Sequence, residues 1–287
     1  MGDEVDFLNG EFDQFKKRIG NLHFRQLLLK HEAQEKRRST TWVEGKWAPV
    51  YRNPYDGKKE KYSAHAIEGE SEYRAILSEQ QNAMYRWLIV DCYEIFDKYL
   101  KALQRFILVG DGRRSGGSAT RLCEECGRKL GRRSRFDKLV ASLNQDADFK
   151  SLLRKSHIDI ELDVAVLVLS EFRNIIVHEA GRLSNLDTFV DKVMYKAGWE
   201  GADKRADVYN FACGFVTTKN SPLLPESLSF LERSFPGSRV PGHHFDLYQE
   251  LSGCFVGYAE LVRDCVLGRL GCEGGSTVKR EGARRHK

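Results

Sequence analysis

Apolar positions along this chain recur mostly at helical spacing. Residues 9–39 form an amphipathic pattern rich in Lys, Glu, Gln and Leu, with Leu22, Phe24, Leu27, Leu28 and Leu29 as its apolar stripe. From Ser71 to about Val109, Met84, Leu88, Cys92, Ile95, Tyr99, Leu103 and Phe106 keep 3–4 spacing. They predict a long helix, broken near Gln80–Asn82 and ended by Gly110 and Gly112. Phe136 to about Lys155 predicts another, with Leu139, Val140, Leu143, Phe149, Leu152 and Leu153 inward.

The most apolar run, Ile158 to Val177, is less simple. Ile158, Ile160, Leu162, Val164, Val166 and Val168 alternate as in a strand. The run then continues through Leu167, Leu169, Phe172, Ile175 and Ile176, and helical patterns flank it on both sides. Its length favours a fully buried central helix. Shorter helices are expected at 184–197, 205–216 and Glu226–Phe235. A last one runs from about His243 to Leu270, with Leu247, Leu251, Phe255, Tyr258, Val262 and Val266 on one face.

The predicted fold is all-α. Residues 1–70 form an N-terminal extension, a helix plus a small hairpin or loop at 40–60, where Asn53-Pro54-Tyr55-Asp56-Gly57 is turn chemistry. Trp42, Trp47, Tyr51 and Tyr55 there either pack on the main domain or stack on bases. Residues 71–271 form the helical domain, with a basic loop at 110–135 and an insertion at 183–242. Residues 272–287 are a basic, glycine-rich tail expected to be disordered.

Composition narrows the classes. Of 287 residues 41% are hydrophobic and 30% charged, enough apolar matter for a globular core. No stretch is long and apolar enough for a membrane helix, and the acidic start has no signal-peptide core. An odd count of seven cysteines, scattered through apolar patterns, suits free thiols in a reducing cytoplasm. Net charge is +5, which by itself does not demand a polyanion. Its placement does more. Residues 110–135 hold Arg113, Arg114, Arg121, Arg128, Lys129, Arg132, Arg133 and Arg135 against Asp111, Glu124 and Glu125, a local balance equal to that of the whole chain. Such a loop attracts RNA through its phosphates, with Arg113, Arg114, Arg128, Lys129, Arg132 and Arg133 as the candidate contacts; a solvated linker is the plain alternative. Cys123 and Cys126 in the same loop supply only half a zinc site, and no second pair follows closely.

Candidate chemistry sits at the end of the central run, in Glu171-Phe172-Arg173-Asn174-Ile175-Ile176-Val177-His178. On a helix Asn174 and His178 share a face, and Arg173 reaches the same cleft. Arg offers a fork of donors to a phosphate, Asn holds an oxygen, and His moves a proton near neutral pH. The trio suits phosphodiester cleavage by a ribose 2′-hydroxyl, with no catalytic metal or cofactor expected. Phosphoryl transfer from ATP is disfavoured, since no glycine-rich loop with Lys-Ser/Thr is present.

Arg173-Asn174-Ile175-Ile176-Val177-His178, in a helical frame, resembles the R-N-x-x-x-H motif of HEPN-superfamily ribonucleases. The resemblance covers about residues 71–182 and 243–270. It implies a HEPN-like bundle, a homodimer with two motifs facing one cleft, and metal-independent endoribonuclease activity, with Arg173, Asn174 and His178 as the catalytic trio. It also implies a role as a toxin or anti-phage effector, with an antitoxin or regulatory partner. Tyr93-Glu94-Ile95-Phe96-Asp97-Lys98-Tyr99-Leu100 is similar to the family's aromatic-acidic pairs, so Glu94 or Asp97 is expected near the trio. The rival expectation is a non-catalytic helical module that binds a nucleotide or RNA.

Overall fold

The computed structural model describes residues 2–38, 46–47, 50–52, 59–61, 65–66, 69–114, 143, 146–155, 161–217, 227–234 and 244–269. Helix α1 spans Gly2–Arg38, α2 Glu70–Arg114, α3 Ala147–Lys155, α4 Leu162–Glu179, α5 Leu186–Ala197, α6 Ala202–Cys213 and α7 Leu247–Arg269. The fold is all-α. Among the described residues, six strands of two or three residues occur: β1 (Lys46–Trp47) pairs antiparallel with β4 (His65–Ala66), β2 (Val50–Arg52) with β3 (Lys59–Lys61), and β5 (Arg233–Ser234) with β6 (His244–Phe245). Among the described residues, no helix is long and apolar enough to cross a membrane. The basic segment 115–135, with Cys123, Cys126, Arg128, Lys129, Arg132 and Arg133, lies outside the described residues, as do the tail and Trp42. Arg113 and Arg114 form the last residues of α2.

Helix α4 is buried along most of its length, at Leu162, from Val164 through Phe172, and again at Ile175 and Ile176. It packs against α2, α5, α6 and α7. A helix surrounded this way needs apolar residues at both parities, which is why the sequence alternates locally and yet does not form a strand.

Helix α1 is part of the same core. Leu8, Phe12, Phe15, Ile19 and Leu22 recur every three or four residues and are all buried. Phe15 stacks on Tyr99 of α2 with ring centroids 4.7 Å apart, and Arg263 of α7 lies over Phe12 at 4.3 Å. This stripe replaces the expected one: Phe24, Leu27 and Leu28 are exposed. The expected segment, 9–39, contains most of the helix, but the buried stripe runs through the helix's first half and shares Leu22 with the expected one.

Helix α2 is continuous over 45 residues, about 67 Å at 1.5 Å per residue. No break occurs at Gln80–Asn82. Buried Asn82 donates to the Leu228 carbonyl and accepts from the Phe230 amide, both at 2.9 Å. A polar residue that looked like a helix interruption is thus a tertiary contact. Gly110 and Gly112 do not end the helix either, because glycine inside a helix costs only about 1 kcal/mol. Met84 points outward; Tyr85, Leu88, Ile89, Cys92, Phe96 and Tyr99 form the core face.

The expected helix at Glu226–Phe235 is absent over its described part. Residues 227–228 make isolated bridges to Arg182 and Val216, and β5 follows. The Leu228 amide donates to the Gly181 carbonyl, and the Ser229 amide to the Phe215 carbonyl, each at 2.8 Å. This extended segment seats Phe230 against Phe172 and Phe215, locking the end of α4.

Candidate active site

Helix α4 stops where its left-handed exit begins. Ala180 has φ 52° and Gly181 φ 79°, and the Gly181 amide returns to the Ile175 carbonyl. An ideal Cβ on Gly181 would lie 2.8 Å from Arg86 Nε, so glycine serves here both for φ and for close approach. The buried Arg86 guanidinium donates from Nε to the Leu228 carbonyl at 2.9 Å and from Nη1 to Glu79 at 3.1 Å. The last turn of α4 therefore has a rigid base.

The exposed arc of that turn carries the trio. At 100° per residue, Arg173, Val177, Asn174 and His178 succeed one another over about 140°. Arg173 and His178 hold the two edges. His178 is exposed and, among the described residues, has no hydrogen-bond partner. It stands in the last turn of α4, at the negative end of the helix dipole. Glu179 beside it is exposed as well.

Arg173 is partly buried and strongly oriented. Its Nη2 donates to Glu94 Oε1 on α2 at 2.8 Å, and Nη1 lies 3.4 Å from Asn174 Oδ1. Its guanidinium carbon is 5.7 Å from the centre of the Tyr93 ring. Among the described residues, its buried Nε has no hydrogen-bond partner. Burial pushes the Tyr93 phenol up, and its hydrogen bond with Ser170 only partly offsets this. Of the two acidic residues expected near the trio, Glu94 touches Arg173. Asp97 instead pairs with Lys101 one turn further along α2, and its buried Oδ1 has no hydrogen-bond partner among the described residues.

The other edge rests on Glu171, only 2% exposed. Glu171 Oε1 accepts from Lys196 and lies 3.4 Å from Asn174 Nδ2, while Oε2 is 2.9 Å from Lys192 Nζ. Burial alone would raise this carboxyl. The lysines outweigh it and hold Glu171 below the ordinary glutamate range. Asn174 is thus fixed from both sides, by Arg173 and by Glu171.

The sequence pointed to Arg173, Asn174 and His178, and these residues share one surface. It assigned no role to Glu171, Lys192 or Lys196. Two signals were available: Glu171, Asn174 and His178 fall at i, i+3 and i+7, and Lys192 and Lys196 are four apart on an amphipathic helix. Of the cysteines, Cys92, Cys213, Cys254 and Cys265 are free thiols. Among the described residues, no three His, Cys, Asp or Glu side chains cluster as metal ligands. No protein-family model, curated protein or solved structure matches the chain.

Proposed function

We propose that this protein is a metal-independent endoribonuclease of the HEPN type, working as a homodimer whose two α4 ends face one groove. The observation that carries the reading is the exposed arc itself. It presents an oriented guanidinium, a fixed carboxamide and an unpartnered imidazole on one rigid helix end, where a phosphodiester can contact all three. Arg173 has five N–H donors, and Glu94 and Asn174 leave part of the fork for a phosphate. In the reaction the ribose 2′-hydroxyl attacks the adjacent phosphorus. Arg173 stabilises the charge that builds on the phosphorane oxygens. Asn174 holds a non-bridging oxygen. His178 transfers the proton, as base toward the 2′-hydroxyl or as acid toward the 5′-leaving oxygen. Where both roles are needed, the second imidazole comes from the partner copy. A toxin or anti-phage role, restrained by an antitoxin or regulatory partner, fits such an activity, and the basic residues of segment 110–135 would guide RNA toward the groove.

A second reading is favoured by one specific contact. Arg173 is already engaged by Glu94 and Tyr93 within its own chain, as expected of a structural pair in a non-catalytic nucleotide- or RNA-binding module. One experiment separates the two. Incubation with RNA in excess EDTA is expected to give cleavage by the wild type and none by His178→Ala or Arg173→Ala. Equal cleavage by all three removes the site, and cleavage abolished by EDTA replaces it with a metal-dependent one.

A further inference from the structure

Helix α5 brings a second group of residues beside the trio. Lys196 and Asn174 converge on the same carboxylate oxygen of Glu171, so the amine from α5 and the amide from α4 are immediate neighbours. Lys192, one turn before Lys196, reaches the other oxygen and is still 49% exposed. Two ammonium groups around one carboxylate leave an excess of positive charge at this edge. Going around α5, Lys196 and Lys192 lie at the border of the buried face, and Tyr195 follows about 60° further out. Tyr195 is 87% exposed. An aromatic ring so exposed contributes almost nothing to the core, and it emerges directly beside the cationic edge. On the other side of Tyr195, Asp191 lies about 40° away and Asp187 further round, and both are paired with Arg205, at 3.0 and 2.9 Å, so their charge is offset there.

Positive charge interleaved with an exposed aromatic ring is the chemistry that holds single-stranded nucleic acid: ammonium groups take the phosphates and the ring takes a base. We infer that the Lys192–Tyr195–Lys196 edge of α5 is an RNA subsite adjoining the Arg173–His178 arc. There Lys192 contacts a backbone phosphate and Tyr195 stacks on the base of a nucleotide next to the scissile bond. Glu171 is the positioning residue that fixes the lysines against Asn174. The inference rests on the endoribonuclease reading for its substrate, and the residues differ from those proposed for catalysis.

The test is binding of a short fluorescein-labelled single-stranded RNA to the full chain carrying His178→Ala, so that cleavage does not interfere. Wild-type cleavage is followed in parallel. Tyr195→Ala is expected to weaken binding roughly tenfold, with Tyr195→Trp preserving it. Lys192→Gln is expected to weaken binding several-fold and to lower the slope of log affinity against log salt by about 0.7, the value for one lost single-strand phosphate contact. Lys17→Gln, an exposed charge on α1, serves as the control and leaves both unchanged. Tyr195 is exposed enough that its substitution does not threaten folding; Lys192→Gln removes one of the two cations beside buried Glu171 and leaves Lys196, so its unfolding midpoint is measured alongside, with Lys192→Arg as the charge-keeping comparison. Undiminished binding by Tyr195→Ala and Lys192→Gln would overturn the subsite, while His178-dependent cleavage in the same preparation would leave the enzyme reading intact. Binding lost in both variants without cleavage by the wild type would keep the subsite and remove the enzyme. Absence of RNA binding altogether would remove both.

Discussion

Glu94 and Arg173 join the long helix α2 to the buried central helix α4: the carboxylate on α2 accepts a hydrogen bond from the guanidinium on α4 at 2.8 Å. Their side chains are 40% and 27% exposed, so the pair contributes at most about 1 kcal/mol to stability. Its effect is on orientation. Glu94→Ala is expected to leave the unfolding midpoint nearly unchanged, to lower single-turnover RNA cleavage about tenfold by freeing the arginine, and to tighten RNA binding at low salt by removing a negative charge from the arc. A large loss of stability, with binding unaffected, would favour a purely structural pair.

Glu171 gives a pH signature. Its carboxyl is held below the ordinary value of 4.5, so it takes up its proton more readily in the unfolded chain than in the native one. The stability it supplies is present above the unfolded pKa and is lost as pH falls through the lower, native one. Urea unfolding between about pH 6 and pH 3 is expected to show wild-type stability falling with acid. Glu171→Gln should fall less steeply and be roughly 1–3 kcal/mol less stable at neutral pH, since two half-exposed lysines lose a buried partner. Parallel pH profiles would exclude this linkage.

Gly181→Ala tests the exit from α4. The substitution places a methyl group in a left-handed conformation and against the buried Arg86 side chain. A cost of about 2–4 kcal/mol is expected, lowering Tm by several degrees in a calorimetric scan. Cleavage should fall with it, because the last turn of α4 carries His178. Gly198→Ala is the comparison: φ is also positive, at 66°, but no atom lies within 4 Å of the added carbon. The difference between the two variants isolates the contact with Arg86.

Phe15→Ala tests whether α1 belongs to the core. Phe15 is buried against Phe96 and Tyr99 of α2. Its truncation is expected to cost about 3–5 kcal/mol by equilibrium denaturation, whereas Phe24→Ala, on the exposed side of the same helix, should cost less than about 1 kcal/mol. Equal small effects would detach α1 from the core.

Much of the fold was legible from spacing. The helices at Leu186–Ala197 and Leu247–Arg269 follow their apolar patterns closely, and the exit of α4 was marked by Gly181. Spacing failed where tertiary contacts set the local structure. Residues 227–230 are extended because their amides and carbonyls pair with Gly181, Phe215 and Asn82, all far away in sequence. Asn82 looked like a flaw in a helix because its partner was not visible along the chain.

The sequence by itself determined that the chain is helical, that its central helix is apolar almost to its end, and that Arg173, Asn174 and His178 emerge together there. Those are consequences of residue type at a 3.6-residue period, which needs no knowledge of neighbours. Only the tertiary structure decided what each of the three touches. Arg173 is turned toward Glu94 and Tyr93, Asn174 is caught between Arg173 and Glu171, and His178 is left in solvent. The physical reason is that Arg173 and Glu171, which hold Asn174, are themselves oriented by groups on α2 and α5, some 20 to 80 residues away. No period along α4 encodes them, and their charges act on the site only once packing has brought the helices together.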